Sequence, residues 1–149
     1  MKSKVALLAV AGLALALPGN AADTKKAKPA SGATYFSSAK ATYKEVAPGV
    51  TKADVWGDAE KGAYGAFTRF APDLKNPLHT HSNDIKIVVI KGAYLYTPEG
   101  GKERRVGPGD FLLVPAGTRH TSGGDAKLGA LFFEESTGKF DLTPVEKNP

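Results

Sequence analysis

Residues 78–92 read LHTHSNDIKIVVIKG, and residues 109–120 read GDFLLVPAGTRH. Between them they hold all three histidines of the chain, His79, His81 and His120. In a strand, residues i and i+2 point to the same face, roughly 7 Å apart at Cα. His79-Thr80-His81 therefore presents two imidazoles on one face and Thr80 on the other. Two imidazoles leaning together at that spacing can share one ion, with metal–nitrogen distances of about 2.1 Å. Pro77 stiffens the entry to this segment. His120 follows Pro115-Ala116-Gly117, a turn sequence that delivers it onto the next short strand. An isolated His-X-His is more often surface polarity than a ligand pair. Here every histidine falls in one of two turn-flanked β contexts, which favours a shared role.

Outward from these stretches the grammar is that of β structure. Gly and Pro recur at short intervals from residue 49 onward, and short runs of Val, Ile, Leu, Phe, Tyr and Thr lie between them. The runs predict strands over 53–56, 64–70, 78–81, 85–90, 93–97, 111–114, 120–121 and 128–134. No 12-residue stretch after the N-terminal segment carries a helical apolar stripe. The IKIVVI run at 85–90 is nearly apolar on both faces, which predicts a strand covered on both sides. The LGALFF run at 128–133 asks for the same cover. The fold class expected is all-β, two sheets face to face in a sandwich or barrel.

The two histidine stretches resemble the paired motifs of the cupin superfamily, G(X)5HXH(X)3,4E(X)6G and G(X)5PXG(X)2H(X)3N. His79, His81 and Gly92 stand at the spacing of the first, and Gly109, Pro115, Gly117 and His120 at that of the second. The resemblance implies a double-stranded β-helix, the small jelly-roll barrel, as a single domain over residues 35–149. It implies a divalent transition metal (Fe, Zn, Ni, Mn or Cu) held inside by His79, His81 and His120. Cupins often pair, so it also implies a homodimer. Small secreted cupins of an uncharacterised family read similarly.

Three positions depart from the motifs. Asp73 stands at the first glycine and Gly124 at the final asparagine, both compatible with turns. The third departure is functional: Ile85 occupies the position of the glutamate that usually completes the metal set. Asp84 and Lys86 flank it, and a regular strand points both away from the barrel interior. A bulge would swing Asp84 inward as a fourth ligand. Glu134 and Glu135 end a strand, so one of them faces inward, and Glu134 is the other candidate for the missing carboxylate.

A three-histidine site keeps the ion's full charge and leaves coordination positions open for substrate or water. Some cupin dioxygenases use such a set. One reading is therefore a metal-dependent, oxygenase-type enzyme acting on a small anionic or chelating molecule, with Lys86, Arg119 and Arg69 as candidate holders of its carboxylate. The other is a non-catalytic module that binds a metal or small ligand. Ile87, Val89, Leu112, Val114, Leu131 and Phe133 are the expected apolar lining in either case. Tyr94 and Tyr96 are candidate hydrogen-bond donors. No dedicated catalytic base is visible.

Composition narrows the remaining classes. The chain has 149 residues and no cysteine, which excludes disulfides, thiolate metal ligands and cysteine nucleophiles. Lys2 and Lys4 precede a short apolar run at 5–17, Pro18 and Gly19 end it, and Asn20-Ala21-Ala22 offers small residues for cleavage. A membrane span needs roughly 20 apolar residues, so residues 1–22 read as a signal peptide for the periplasm or secretion, not as a stable membrane anchor. Residues 23–34 read as a flexible leader. The formal charge of +5 falls to +3 once Lys2 and Lys4 are removed. That scattered excess argues for a small-molecule partner and against nucleic acid. The mature protein is expected to begin at Ala22 or Asp23. An intact mass of the exported chain checks this, and retention of Met1 refutes it.

Overall fold

The computed structural model describes residues 32–146, so the signal-peptide expectation and most of the leader lie outside the described residues. Eleven strands follow one another: β1 (Lys44–Ala47), β2 (Val50–Gly57), β3 (Tyr64–Phe70), β4 (Lys75–Thr80), β5 (Ile85–Gly92), β6 (Tyr94–Pro98), β7 (Arg104–Val106), β8 (Phe111–Val114), β9 (His120–Gly124), β10 (Ala130–Ser136) and β11 (Thr143–Pro144). They form a six-stranded sheet in the order β1-β2-β3-β10-β5-β8 and a five-stranded sheet in the order β11-β4-β9-β6-β7. Every pairing is antiparallel. The expected all-β jelly roll is what the chain forms. β1, β7 and β11 are additional to the strands read from sequence. All three are short, and the four residues of β1 are exposed, so burial leaves no pattern in them.

The core lies between the sheets. Ile85, Ile87 and Val89 of β5 point inward with Tyr94, Val106, Val114, Ala130 and Phe132. Phe132 is the hub, with its ring 5.0 Å from that of Phe70 and 5.2 Å from that of Tyr94. Two expectations need correction here. β5 is covered on one side only: Val88 and Ile90 on its outer face are 39% and 41% exposed. It forms part of a single-layer wall, and β-branched residues suit a strand whether or not its outer face is covered. In β10 the alternation runs opposite to expectation. Ala130, Phe132 and Glu134 face in, while Leu131 and Phe133 face out. β10 begins at Ala130, after a turn through Gly129 at φ 61°, and its even-numbered residues face the core, so Phe132 lines the interior in place of Leu131 and Phe133. Phe133 packs outside against Phe67, which in turn stacks on Phe36.

The motif glycines serve the backbone. Gly92 has φ 73° where β5 turns toward β6, and an added Cβ would overlap the carbonyl oxygen of Gly129. Gly109, at φ 86°, has open space around it. Asp73, at the first motif glycine, keeps the left-handed conformation with φ 58°. Gly109→Ala is expected to cost about 1–2 kcal/mol, from backbone conformation alone. Gly92→Ala is expected to cost distinctly more, because it adds a backbone clash. Urea unfolding midpoints of the two variants test this ranking.

Candidate metal centre

His79 lies in β4, His81 follows that strand's last residue, and His120 opens β9. His79 and His120 are direct cross-strand partners in the β4–β9 pair. The register of that pair is irregular between Asn76 and His79, so Leu78 and His79 are both buried. The three rings meet with centroids 4.2 Å (His79–His120), 5.0 Å (His79–His81) and 5.3 Å (His81–His120) apart. One ligand nitrogen from each lies within 4.8 Å of the others, and all three residues are buried.

Each imidazole is oriented by the main chain. Nδ1 of His79 bonds the Pro77 carbonyl at 2.6 Å, that of His81 the Asp141 carbonyl at 2.5 Å, and that of His120 the Thr118 carbonyl at 2.9 Å. A carbonyl oxygen only accepts, so each Nδ1 carries the proton and each Nε2 keeps a lone pair. Nε2 of His120 is buried without a hydrogen-bond partner. A buried, unpartnered lone pair beside two others is a poor arrangement for a polar core and a good one for a cation. The donor set therefore fits a divalent transition metal. Nitrogens sharing one ion at about 2.1 Å lie roughly 3–3.5 Å apart, so small side-chain rotations suffice. Burial also favours the neutral form of two of the rings. It lowers the pKa of His79 to about 4 and lowers that of His120 as well, with bonds to Pro77 and Thr118 opposing the shift.

The other candidates go elsewhere. The Asp84 carboxylate accepts the Ala116 N–H at 2.8 Å, pinning the Pro115–Gly117 turn from outside instead of bulging inward. Lys86 is exposed and paired with Glu135 at 3.1 Å. Arg69 donates to the Ser38 carbonyl and lies over the Tyr43 ring, and Arg119 pairs with Glu99. None of these three cations lines the interior. Glu134 is buried there, but its contacts are an ion pair with Lys52 and hydrogen bonds from Thr68 and Tyr64.

A cavity of about 390 Å³ opens beside the histidines. His79, His81, Lys52, Thr68 and Glu134 are among its polar members, with Glu60, Asn76 and Ser122, and Ile85, Ile87, Val114, Phe132 and Phe140 form much of its apolar wall. Ile85, at the motif glutamate's position, is part of that wall. Lys52 is the interior cation that sequence reasoning missed. Its signal was the i, i+2 relation to Val50, hidden because β2 was read as starting at Ala53. The C-terminal segment closes this side. Phe140 N–H bonds the Ala59 carbonyl at 2.8 Å, and the Asp141 carboxylate accepts the Ser82 N–H at 2.8 Å. β11 adds to β4 beyond them.

The histidine shifts set a pH dependence. Between about pH 6.5 and 4, an unfolded chain protonates His79 while the folded chain does not. Protons then favour the unfolded state, so stability falls as pH drops through that window. Thermal unfolding of the chelator-treated chain should show the fall, and His79→Gln should make it shallower.

Comparison with known proteins bears on the fold. A family model for the cupin domain matches residues 66–128. No curated protein matches the chain at a significant level. Among solved structures it is similar to the polyketide cyclase RemF from Streptomyces resistomycificus, at 17% identity and TM-score 0.65, over 78% of this chain and 87% of that one. KdgF from a Halomonas species is similar at 21% identity and TM-score 0.56, over 76% and 96% of the two chains. A salicylate 1,2-dioxygenase variant from Pseudoaminobacter salicylatoxidans, solved with gentisate, is similar at 16% identity and TM-score 0.53, over 65% of this chain and 30% of that one. At these identities the likeness is one of fold. The domain match, the jelly-roll topology and the histidines at motif spacing lead to one conclusion: the chain carries a cupin domain, matched over residues 66–128.

Proposed function

We propose that the protein holds one divalent transition metal on His79, His81 and His120, and brings a small organic molecule to it in the adjoining cavity for an oxygenase-type reaction. The observation that carries this reading is the orientation of the three imidazoles, each with Nδ1–H on a backbone carbonyl and Nε2 left as a ligand. When bound, such an ion supplies Lewis-acid or redox chemistry at its open positions. The chain's own part is to keep His79 and His120 neutral by burial, to exclude bulk water with the apolar wall, and to confine the molecule beside the histidines. A dioxygenase among the structures of like fold is compatible with this chemistry. The N-terminal residues support a site of action outside the cytoplasm.

With no carboxylate grouped with the histidines among the described residues, the ion should be more exchangeable than in a site that keeps the motif glutamate. The exported protein should carry about one metal per chain by elemental analysis, as one three-ligand site requires. Any single replacement among His79→Ala, His81→Ala and His120→Ala should remove it. Asp84→Ala should leave it, and Ile85→Glu should tighten it. Wild-type stoichiometry in His120→Ala would refute the site. A metal-loaded chain that consumes no oxygen with any of a broad panel of small phenols and acids would favour a binding module instead.

A further inference from the structure

We infer that the molecule taken by this cavity is uncharged and largely apolar over the part that lies away from the histidines. This rests on the proposed function and names the substrate class of the same site.

The charges in the wall are matched there. Lys52 is the one Lys or Arg of the lining among the described residues. Its ammonium is buried, paired with Glu134, and faced by the rings of Phe140 at 3.8 Å and Tyr64 at 4.9 Å from the centroids. The pair therefore adds no net charge to the lining, and its cation is closed off from a guest. Arg69, Lys86 and Arg119 have partners elsewhere. The uncharged polar members are bonded within the wall as well: Thr68 Oγ1 donates to Glu134 at 3.1 Å, and Asn76 Nδ2 to Ser122 Oγ at 2.9 Å. A carboxylate or phosphate drawn into this space would lose its water and gain no cation in exchange, which is costly. An ammonium would find no unmatched acid inside. At the histidine end a donor atom of the molecule can meet a bound ion, and the rest meets Ile85, Ile87, Val114 and Phe132.

The mouth points the same way. Four residues of the lining are also exposed, so they reach both the cavity and solvent: Val46, Ala47, Glu60 and Leu142. Three of them are apolar, and Val46 and Leu142 are 54% and 38% exposed. Val46 comes from β1 and Leu142 from the C-terminal segment, two distant parts of the chain brought to one opening. Apolar side chains gathered at an opening mark a binding groove more than scattered surface residues do. The single charge among the four is the Glu60 carboxylate, which repels anions at the entrance. The volume of about 390 Å³ lies in the usual range for small-molecule sites.

Nitrobenzene, benzoate and benzamidinium are planar and nearly alike in shape, with charges of zero, minus one and plus one. Binding of each to the full-length chain is followed by NMR titration after chelator treatment, which keeps metal contacts out of the readout. A pH of about 8 keeps an ordinary histidine uncharged. Nitrobenzene should bind at least about tenfold tighter than either ion, because neither charge is compensated in the wall. Its titration should shift the methyl signals of Ile85, Ile87 and Val114. Benzoate or benzamidinium binding as tightly as nitrobenzene, shifts confined to residues outside the cavity, or no binding of nitrobenzene at millimolar concentration would overturn the inference. Metal content of the untreated chain is measured alongside. A chain that binds metal but does not prefer nitrobenzene loses this inference and keeps the metal site, and one that prefers nitrobenzene but binds no metal does the reverse.

Discussion

An imidazole has two nitrogens, and in this barrel the backbone takes one from each histidine. The carbonyls of Pro77, Thr118 and Asp141 fix the protonated Nδ1, so the ligand nitrogens have no choice of tautomer. Two of the three carbonyls lie two residues before the histidine they orient. The strand segments that place His79 and His120 therefore also aim them. The main chain has already organised the site before any ion arrives, which lowers the ordering that binding must impose.

The same interior holds two kinds of polar group with different accounting. Burial stabilises the uncharged form of His79 and His120 and leaves their lone pairs for a cation. Lys52 and Glu134 are charged and compensate one another, with Thr68 and Tyr64 adding hydrogen bonds to the carboxylate. Burial and the neighbouring Glu134 push the Tyr64 hydroxyl far above its usual pKa, so it stays a donor throughout the physiological range. A carboxylate tied to a lysine is a weaker recruit for a metal than a free one, which is consistent with its separation from the histidine group.

Much of this was legible in the sequence because it depends on local spacing. The His79–His81 pair and the Pro115–Gly117 turn are short-range facts. The jelly roll follows from them together with the motif glycines. The errors arose where register is set at a distance. The inner face of β10 is set by its pairing with β3 and β5, which turns Phe132 inward and its neighbours Leu131 and Phe133 outward. Lys52 was hidden for a related reason. A lysine reads as a surface residue until its partner is known, and Glu134 lies 82 positions away on the far side of β3. Asp84 shows the converse, a polar residue near the site whose nearest need is a turn N–H.

The C-terminal strap has a consequence for the order in which the protein is completed. Residue 141 supplies the carbonyl that orients His81, and residue 140 supplies a ring of the cavity wall. Both follow β10, the last long strand of the barrel. A growing polypeptide can lay down β4, β5 and β9 and bring His79 and His120 face to face while this segment is still unmade. The third imidazole acquires its direction only when the residues after β10 have joined. A chain cut short after β10 would thus carry every ligand and most of the barrel, yet lack the aligned set, so the strap makes the site depend on a segment outside the sheet that holds two of its ligands.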